Sequence, residues 1–200
     1  MEPTYFLFAA LAGYLLGSLP FAIIISNVFG LADPRSFGSG NPGATNVLRT
    51  GNKGAAALTL TGDILKGYLA VVMAAQIQPE QPEIIAIAGL AAFFGHLFPV
   101  FLKFKGGKGV ATALGVMAGF SGGLALICVV VWLVVAGVTR YSSLAALMAA
   151  ALAPLAAGML THREAALAVL VISFMLVLRH KANIQRLRAG TESRIGFPKT

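Results

Sequence analysis

The chain has 200 residues, of which 58% are hydrophobic and 11% charged, whereas soluble domains average about 45–50% apolar and about 25% charged. Fifteen Lys and Arg stand against seven Asp and Glu, a net charge of +8, and the only cysteine is Cys128. These values exclude a disordered chain, a disulfide scaffold and a soluble enzyme, and point to an integral membrane protein.

A membrane-crossing helix needs about 20 mainly apolar residues. The first such run extends from about Tyr5 to Phe29. No basic segment precedes it, so it reads as a retained anchor rather than a cleaved leader. Pro20 lies inside it and predicts a kink. The second run covers Gly54 to Ala75 and the third Glu83 to Phe101. Val110 to Val138 is 29 residues long, about 43 Å as one straight helix. Gly119, Ser121, Gly122 and Gly123 interrupt it, which predicts two short spans, the fourth and fifth. The sixth covers Ser143 to Leu160 and the seventh Glu164 to Leu178. The expectation is an all-α integral membrane protein, one domain over residues 1–200, with seven transmembrane helices.

Charge placement sets the orientation. With the first residues outside, thirteen of the fifteen Lys and Arg fall inside; Arg163 is outside and Lys66 lies in the second span. Glu2, Glu80, Glu83 and Glu164 fall outside. This bias predicts N-out, C-in. Joining the fourth and fifth spans would put Lys103, Lys105 and Lys108 opposite Arg140 and the basic tail. Gly13 and Gly17, and Gly115, Gly119 and Gly123, have the spacing of close helix contacts. They read as packing within a monomer, with a dimer interface as the alternative.

The inside segments are too unusual for plain connectors. The first contains Gly38-Ser39-Gly40-Asn41-Pro42-Gly43-Ala44-Thr45-Asn46, then Arg49. It formally matches G-x-G-x-x-G, but a dinucleotide site needs a preceding strand and here a membrane helix precedes it. Its glycines let backbone N–H groups converge on an anion. Ser39, Asn41, Thr45 and Asn46 can donate side-chain hydrogen bonds. Arg49 offers a bidentate fork for phosphate, and a helix starting near Asn46 would favour an anion too. The plain alternative is an interfacial loop of turn residues.

The second inside segment is Lys105-Gly106-Gly107-Lys108-Gly109. It is not a Walker A loop, yet Lys108 between glycines at the mouth of a helix suits an anion. Lys103 and Lys105 read as topology anchors. The third is the tail from Arg179 to Glu192. If helical, it sets His180, Asn183 and Leu187 on one stripe; Arg186 and Arg188 point elsewhere, toward anionic headgroups. His180 either donates to phosphate or accepts a proton.

Asp63 and Lys66 are three apart in the second span and share a face. Charges at this depth face the bundle interior or a wet site, so they read as a pair supporting the first loop. His96, near the inside end of the third span, is placed to support the site, and His162 to face solvent. No H-E-x-x-H, cysteine cluster or paired acidic set suggests a metal, and no histidine has an aspartate five residues later. What remains is an inside-facing pocket rich in anion donors, suited to substrates with phosphate groups and an apolar chain.

Three motifs in order resemble the bacterial acyl-phosphate:glycerol-3-phosphate acyltransferase (PlsY) family. They are GSGNPGATN at Gly38–Asn46 with Arg49, GGKGVAT at Gly106–Thr112, and His180, Asn183, Ile184, Arg186, Leu187, Gly190 and Glu192 of the tail. GHLFPVFLKFKGGKG, DILKG and the turn RYSSL at Arg140–Leu144 resemble it too. The resemblance implies transfer of a fatty acyl group from acyl phosphate to the 1-hydroxyl of glycerol 3-phosphate, giving lysophosphatidic acid and phosphate, the first acylation of phospholipid synthesis. It implies a cofactor-free, multi-pass enzyme of the bacterial cytoplasmic membrane, with its site on the cytoplasmic side.

Carried onto this sequence, it implies His180, Lys108 and Arg49 as catalytic residues. Ser39, Gly40, Asn41, Gly43, Ala44, Thr45, Asn46, Gly107, Ser143 and Asn183 would contact substrate, and Asp63, Lys66 and Glu192 would support the site. Members often carry a second serine where this chain has Ala146. Membrane lipids are the surroundings and nucleic acid is not a partner, since most phenylalanines lie in or beside spans rather than in a basic stripe. The rival reading is a small-anion or lipid transporter, with Asp63 and Lys66 lining its path. A structural subunit would not need three anion-suited loops.

Overall fold

Proline and glycine set the helix boundaries in the structure, a computed structural model that describes residues 3–195. Every regular element among the described residues is helical. The helices are α1 (Pro3–Gly17), α2 (Phe21–Val28), α3 (Ala44–Val47), α4 (Lys53–Ile77), α5 (Pro82–Leu97), α6 (Val110–Phe120), α7 (Gly122–Thr139), α8 (Ser142–Leu160), α9 (Arg163–Arg179) and α10 (Lys181–Arg188). Glu2 and Lys199 lie outside the described residues.

Pro20 separates α1 from α2, because it cannot donate to the turn before it. Together they form a 26-residue apolar run. This run, α4, α5 with its following turn, α7 and α8 are the five segments long and apolar enough to cross a membrane. α9 and α10 make a sixth if counted as one segment bent by 55°. The split between the fourth and fifth spans falls at Ser121, whose hydroxyl accepts the Leu124 N–H and caps α7. It is off-centre. The expectation of two short helices is therefore corrected: α6 has 11 residues, but α7 has 18 and is of full span length.

Small residues bring two helix pairs into backbone contact. A Cβ at Gly13 or Gly17 of α1 would overlap the backbone of Ala88 or Ala92 in α5. A Cβ at Gly115 of α6 would overlap the Ile64 carbonyl of α4, and one at Gly67 would overlap the Thr112 carbonyl. Both pairs run parallel. The register also fixes depth. Thr112 lies level with Gly67, about 20 Å along α4 from Lys53 at 1.5 Å per residue. So α6 begins deep in the bundle, and the segments before it line a recess. The core that fixes α6 joins Val71, Phe93, Leu97, Val116, Leu124, Val169 and Ile172, all fully buried.

Candidate active site

Loop geometry comes first. Gly38 and Gly40 have φ of +60° and +66°, the left-handed region that glycine enters at little cost. The Asn46 amide nitrogen donates to the carbonyls of Pro34 (2.6 Å) and Phe37 (3.1 Å), and its oxygen accepts the Ser39 N–H at 3.1 Å. Asn46 is buried. It holds the glycine loop in shape, and both its N–H groups are engaged within that loop. This corrects its expected role as a phosphate donor. The helix also begins at Ala44 rather than Asn46 and is four residues long.

The second loop closes against the end of α5. The Gly106 N–H donates to the Leu97 carbonyl and the Gly107 N–H to the His96 carbonyl, both at 3.2 Å. Lys108 follows. Gly109 starts α6 with φ +85°, and a Cβ there would meet the rings and methyls of Phe93 and Leu97. The two loops face each other across a cleft of about 420 Å³. Ser39, Gly40, Asn41, Gly106 and Lys108 line one part of it; Leu178, Arg179, Lys181, Ala182 and Gln185, from the α9–α10 junction, line the rest.

The tail builds the third side. Glu192 accepts hydrogen bonds from Asn183 Nδ2 (2.6 Å), Ser143 Oγ (2.8 Å) and Arg186 Nε (2.6 Å). Burial raises its pKa, but those three donors outweigh burial and hold the carboxyl below the usual glutamate range. Arg186 is thus a partner of Glu192, which corrects the headgroup role expected for it. Arg49 Nη2 donates to Ser193 Oγ at 2.6 Å, so the first loop and the tail touch. Arg194 lies over the Tyr141 ring, 5.4 Å from its centroid. Ala146, on the buried face of α8 one turn beyond Ser143, offers no hydroxyl.

Burial shifts the pKa of two groups near the cleft. Burial lowers Lys108 to about 8; Glu192 opposes this, and Arg186, Arg179 and Arg49 add to it. His180 is lowered to about 4, first by burial, with the Leu176 carbonyl and Glu192 opposing and Lys108 adding. Its Nδ1 lies 2.8 Å from the Leu176 carbonyl. A carbonyl only accepts, so Nδ1 carries the proton and Nε2 keeps its lone pair.

Beneath both loops lies a buried ionic group. Lys66 Nζ is 2.8 Å from Asp63 Oδ1 and donates to the Leu19 carbonyl at 2.8 Å, in the break between α1 and α2. His96 Nδ1 is 3.0 Å from Thr112 Oγ1 and 3.4 Å from Asp63 Oδ1. A space of about 10 Å³, room for about one water, lies among Asp63, Lys66, His96, Pro42, Gly106 and Gly107. Asp63 and Lys66 therefore pair, as their shared helix face predicted. Their direct contact is with the α1 break, not the first loop. Thr45 is exposed, as is His162. Among the described residues no three His, Cys, Asp or Glu side chains gather as a metal cage would require.

Arg179, Lys181 and Gln185 also line the cleft and are not among the expected site residues; in the sequence the two cations are indistinguishable from topology anchors, and no local pattern marks their partners.

The chain matches the family described as glycerol-3-phosphate acyltransferase over residues 7–190. It is 58% identical over 196 residues to the glycerol-3-phosphate acyltransferase of Aromatoleum aromaticum, covering 98% of this chain and 99% of that one. It is 56% identical over 193 residues to that of Bordetella pertussis, covering 93% and 90%. The crystal structure of PlsY, an integral membrane glycerol 3-phosphate acyltransferase, in its glycerol 3-phosphate form superposes with a TM-score of 0.90 at 40% identity over 96% of each chain. Its lysophosphatidic acid form gives 0.89 at 38% identity over 96% and 95%. Matched nearly end to end, by sequence and by fold, this multi-pass membrane protein belongs to the glycerol-3-phosphate acyltransferase family.

Proposed function

We propose that this PlsY-type glycerol-3-phosphate acyltransferase takes its acyl group from acyl phosphate and delivers it to the 1-hydroxyl of glycerol 3-phosphate, releasing lysophosphatidic acid and phosphate. The observation that carries this reading is the shared cleft, where the first loop faces Lys108 and the α9–α10 junction. Two phosphate-bearing substrates need a cationic recess, and an acyl chain needs a route to lipid. Leu178, half exposed at the cleft edge, fits the second need.

Acyl phosphate is an activated mixed anhydride, so the substrate hydroxyl can attack it directly. The new C–O bond forms as the old one breaks, and the electron pair leaves with phosphate. Lys108 and Arg49 neutralise the phosphates, Ser39, Gly40 and Asn41 line the first loop's side of the cleft, and Gly43, Ala44 and Thr45 follow them in the same loop. The N–H groups of Ala44 and Thr45 have no partner among the described residues and are free to donate. Gly107 sets the approach of Lys108. Ser143 and Asn183 are buried and donate to Glu192, so they hold the tail network beside the substrate rather than donate to it. With a pKa of about 4, His180 does not hold a proton near neutrality. It orients the hydroxyl through Nε2, and the proton ends on the departing phosphate. Positioning and electrostatic stabilisation supply the acceleration. The reaction so written draws on no cofactor.

Seven crossings, N-out and C-in, complete the reading. The thirteen inside cations favour this orientation. α6 is about 16 Å long, half of a hydrocarbon core of about 30 Å; its deep start lets it finish a crossing that the loop before it begins. The site then opens to the cytoplasmic face of the bacterial inner membrane, and one chain holds the whole cleft, consistent with a monomer.

Purified protein in liposomes, given acyl phosphate and glycerol 3-phosphate, is expected to form lysophosphatidic acid. Substrate crossing the bilayer with no acylated product would instead favour a transporter.

A further inference from the structure

The Gly106–Gly107 segment has no side chains to hold it, yet it carries Lys108. Its N–H edge is fixed by the carbonyls of Leu97 and His96 at the end of α5. Its carbonyl edge is fixed from the other side by one residue. Arg179, the last residue of α9, donates from Nη2 to the Gly106 carbonyl at 3.1 Å and to the Gly107 carbonyl at 2.9 Å. The guanidinium lies 5.5 Å from the centroid of the Phe98 ring, and Phe98 stacks on Phe94 at 6.5 Å. The Phe98 carbonyl accepts the Tyr14 hydroxyl at 2.6 Å, which ties it to α1. There is no slack on the far side: a Cβ on Gly107 would run into His96 Nε2.

The geometry points to Arg179 as the positioning residue of the transfer site, a clamp on the Gly106 and Gly107 peptide planes that holds the Lys108 ammonium at the cleft. The inference rests on Lys108 being a phosphate ligand, as proposed above. Only arginine combines a planar fork with a face that stacks on an aromatic ring; a lysine ammonium is a compact, strongly hydrated point. The clamp also registers α9 with the second loop, so that His180, the next residue, is set against Lys108. Arg179 itself lines the cleft, so direct contact with a substrate phosphate is the competing role.

A double-mutant cycle in purified, lipid-reconstituted protein separates the two. Arg179→Gln is expected to lower kcat/KM by up to about 100-fold, the cost of misplacing a catalytic group by about 1 Å. In a Lys108→Ala background the same change is expected to cost less than about threefold, because the two residues act as one unit. Equal losses in both backgrounds would overturn the clamp in favour of a substrate contact. Arg179→Lys keeps the charge but not the planar face that lies on the Phe98 ring, so its loss is expected to approach that of Arg179→Gln; near wild-type activity would overturn the proposal. The alkaline limb of the rate profile gives a further readout. Lys108 faces Glu192 of the tail, Arg186 of α10, Arg49 of the first loop and Arg179. Removing Arg179 takes away a like charge and loosens the loop, so the limb moves upward from about 8; an unmoved limb would contradict the clamp. Amide hydrogen exchange at Gly106 and Gly107 needs no turnover. Faster exchange in Arg179→Gln supports the clamp even if the wild type proves inactive, which would count against the reaction instead; unchanged exchange overturns the clamp.

Discussion

Lys108→Ala is expected to lower kcat/KM by about 10²- to 10³-fold, the usual cost of losing one preorganised donor aimed at developing charge. Lys108 is a partly buried cation in the cleft shared by both loops. Its ammonium is the group there that can follow a phosphate as charge shifts onto it. Lys108→Arg is expected to recover only part of the activity, since a planar guanidinium does not place its charge where a compact ammonium does. The pH dependence follows from the depressed pKa of about 8. The ammonium form binds phosphate. Activity is therefore full below about 8 and falls as pH rises through that value, rather than near the 10.4 of a free lysine. Initial rates across pH 6–10 check this; a flat profile in the wild type, or a Lys108→Ala variant of normal activity, would remove Lys108 from the mechanism.

Glu192→Ala is expected to be the most damaging tail substitution. One carboxylate receives Ser143, Asn183 and Arg186, and so joins α8, α10 and the tail. Its loss leaves Asn183 with no partner on either amide atom, because Asn183 Oδ1 is already buried without one. A hydrogen bond to a charged group contributes about 1.5–3 kcal/mol net. Solvent screening reduces the share of the Arg186 pair, which is partly exposed. A loss on the order of 3 kcal/mol is expected. Because Ser193 follows directly, Arg49 loses its tail contact as well, and turnover is expected to fall with stability. The sign of the pH dependence is fixed by the direction of the shift. The folded-state pKa is lowered, so this stabilisation is present above the ordinary glutamate value and is lost as pH falls through the lower folded value. Thermal unfolding in detergent between pH 3 and 7 should show a larger acid-side loss in the wild type than in Glu192→Ala, where Asp33, held low by Arg35, still titrates. The same loss in both would mean that Glu192 does not hold the tail.

The apolar runs were legible because their interruptions are chemical. Pro20 breaks α1 from α2, and Ser121 divides α6 from α7 where a serine and three glycines suggested. Lys108 was legible too, since glycines flanked it in sequence. Depth was not. The start of α6 at the level of Gly67 depends on which small residues meet across helices, and hydropathy carries no register. Nor were long-range partners legible. Asn46 has the look of a substrate donor until the Pro34 and Phe37 carbonyls are seen to take both its N–H groups. Arg179 and Gly107 are 72 residues apart, and Arg186 looked like a headgroup contact until the tail brought Glu192 to it. Local spacing identifies residue types; it does not say which of them are already engaged with the protein's own backbone.

The nucleophile is the remaining chemical choice. Ser143 donates to Glu192 at 2.8 Å, but that carboxylate is held anionic by its other donors and is a weak base, so Ser143 is oriented rather than activated. Direct transfer from an activated donor is the account's central claim. The measurement that tests it is turnover by the purified, lipid-reconstituted protein with acyl phosphate against acyl-CoA, with and without glycerol 3-phosphate. The account predicts lysophosphatidic acid and phosphate in equal amounts from acyl phosphate, background rates with acyl-CoA, and no acylated protein when glycerol 3-phosphate is absent. Comparable rates with acyl-CoA, or an acyl group trapped on the protein, would contradict it.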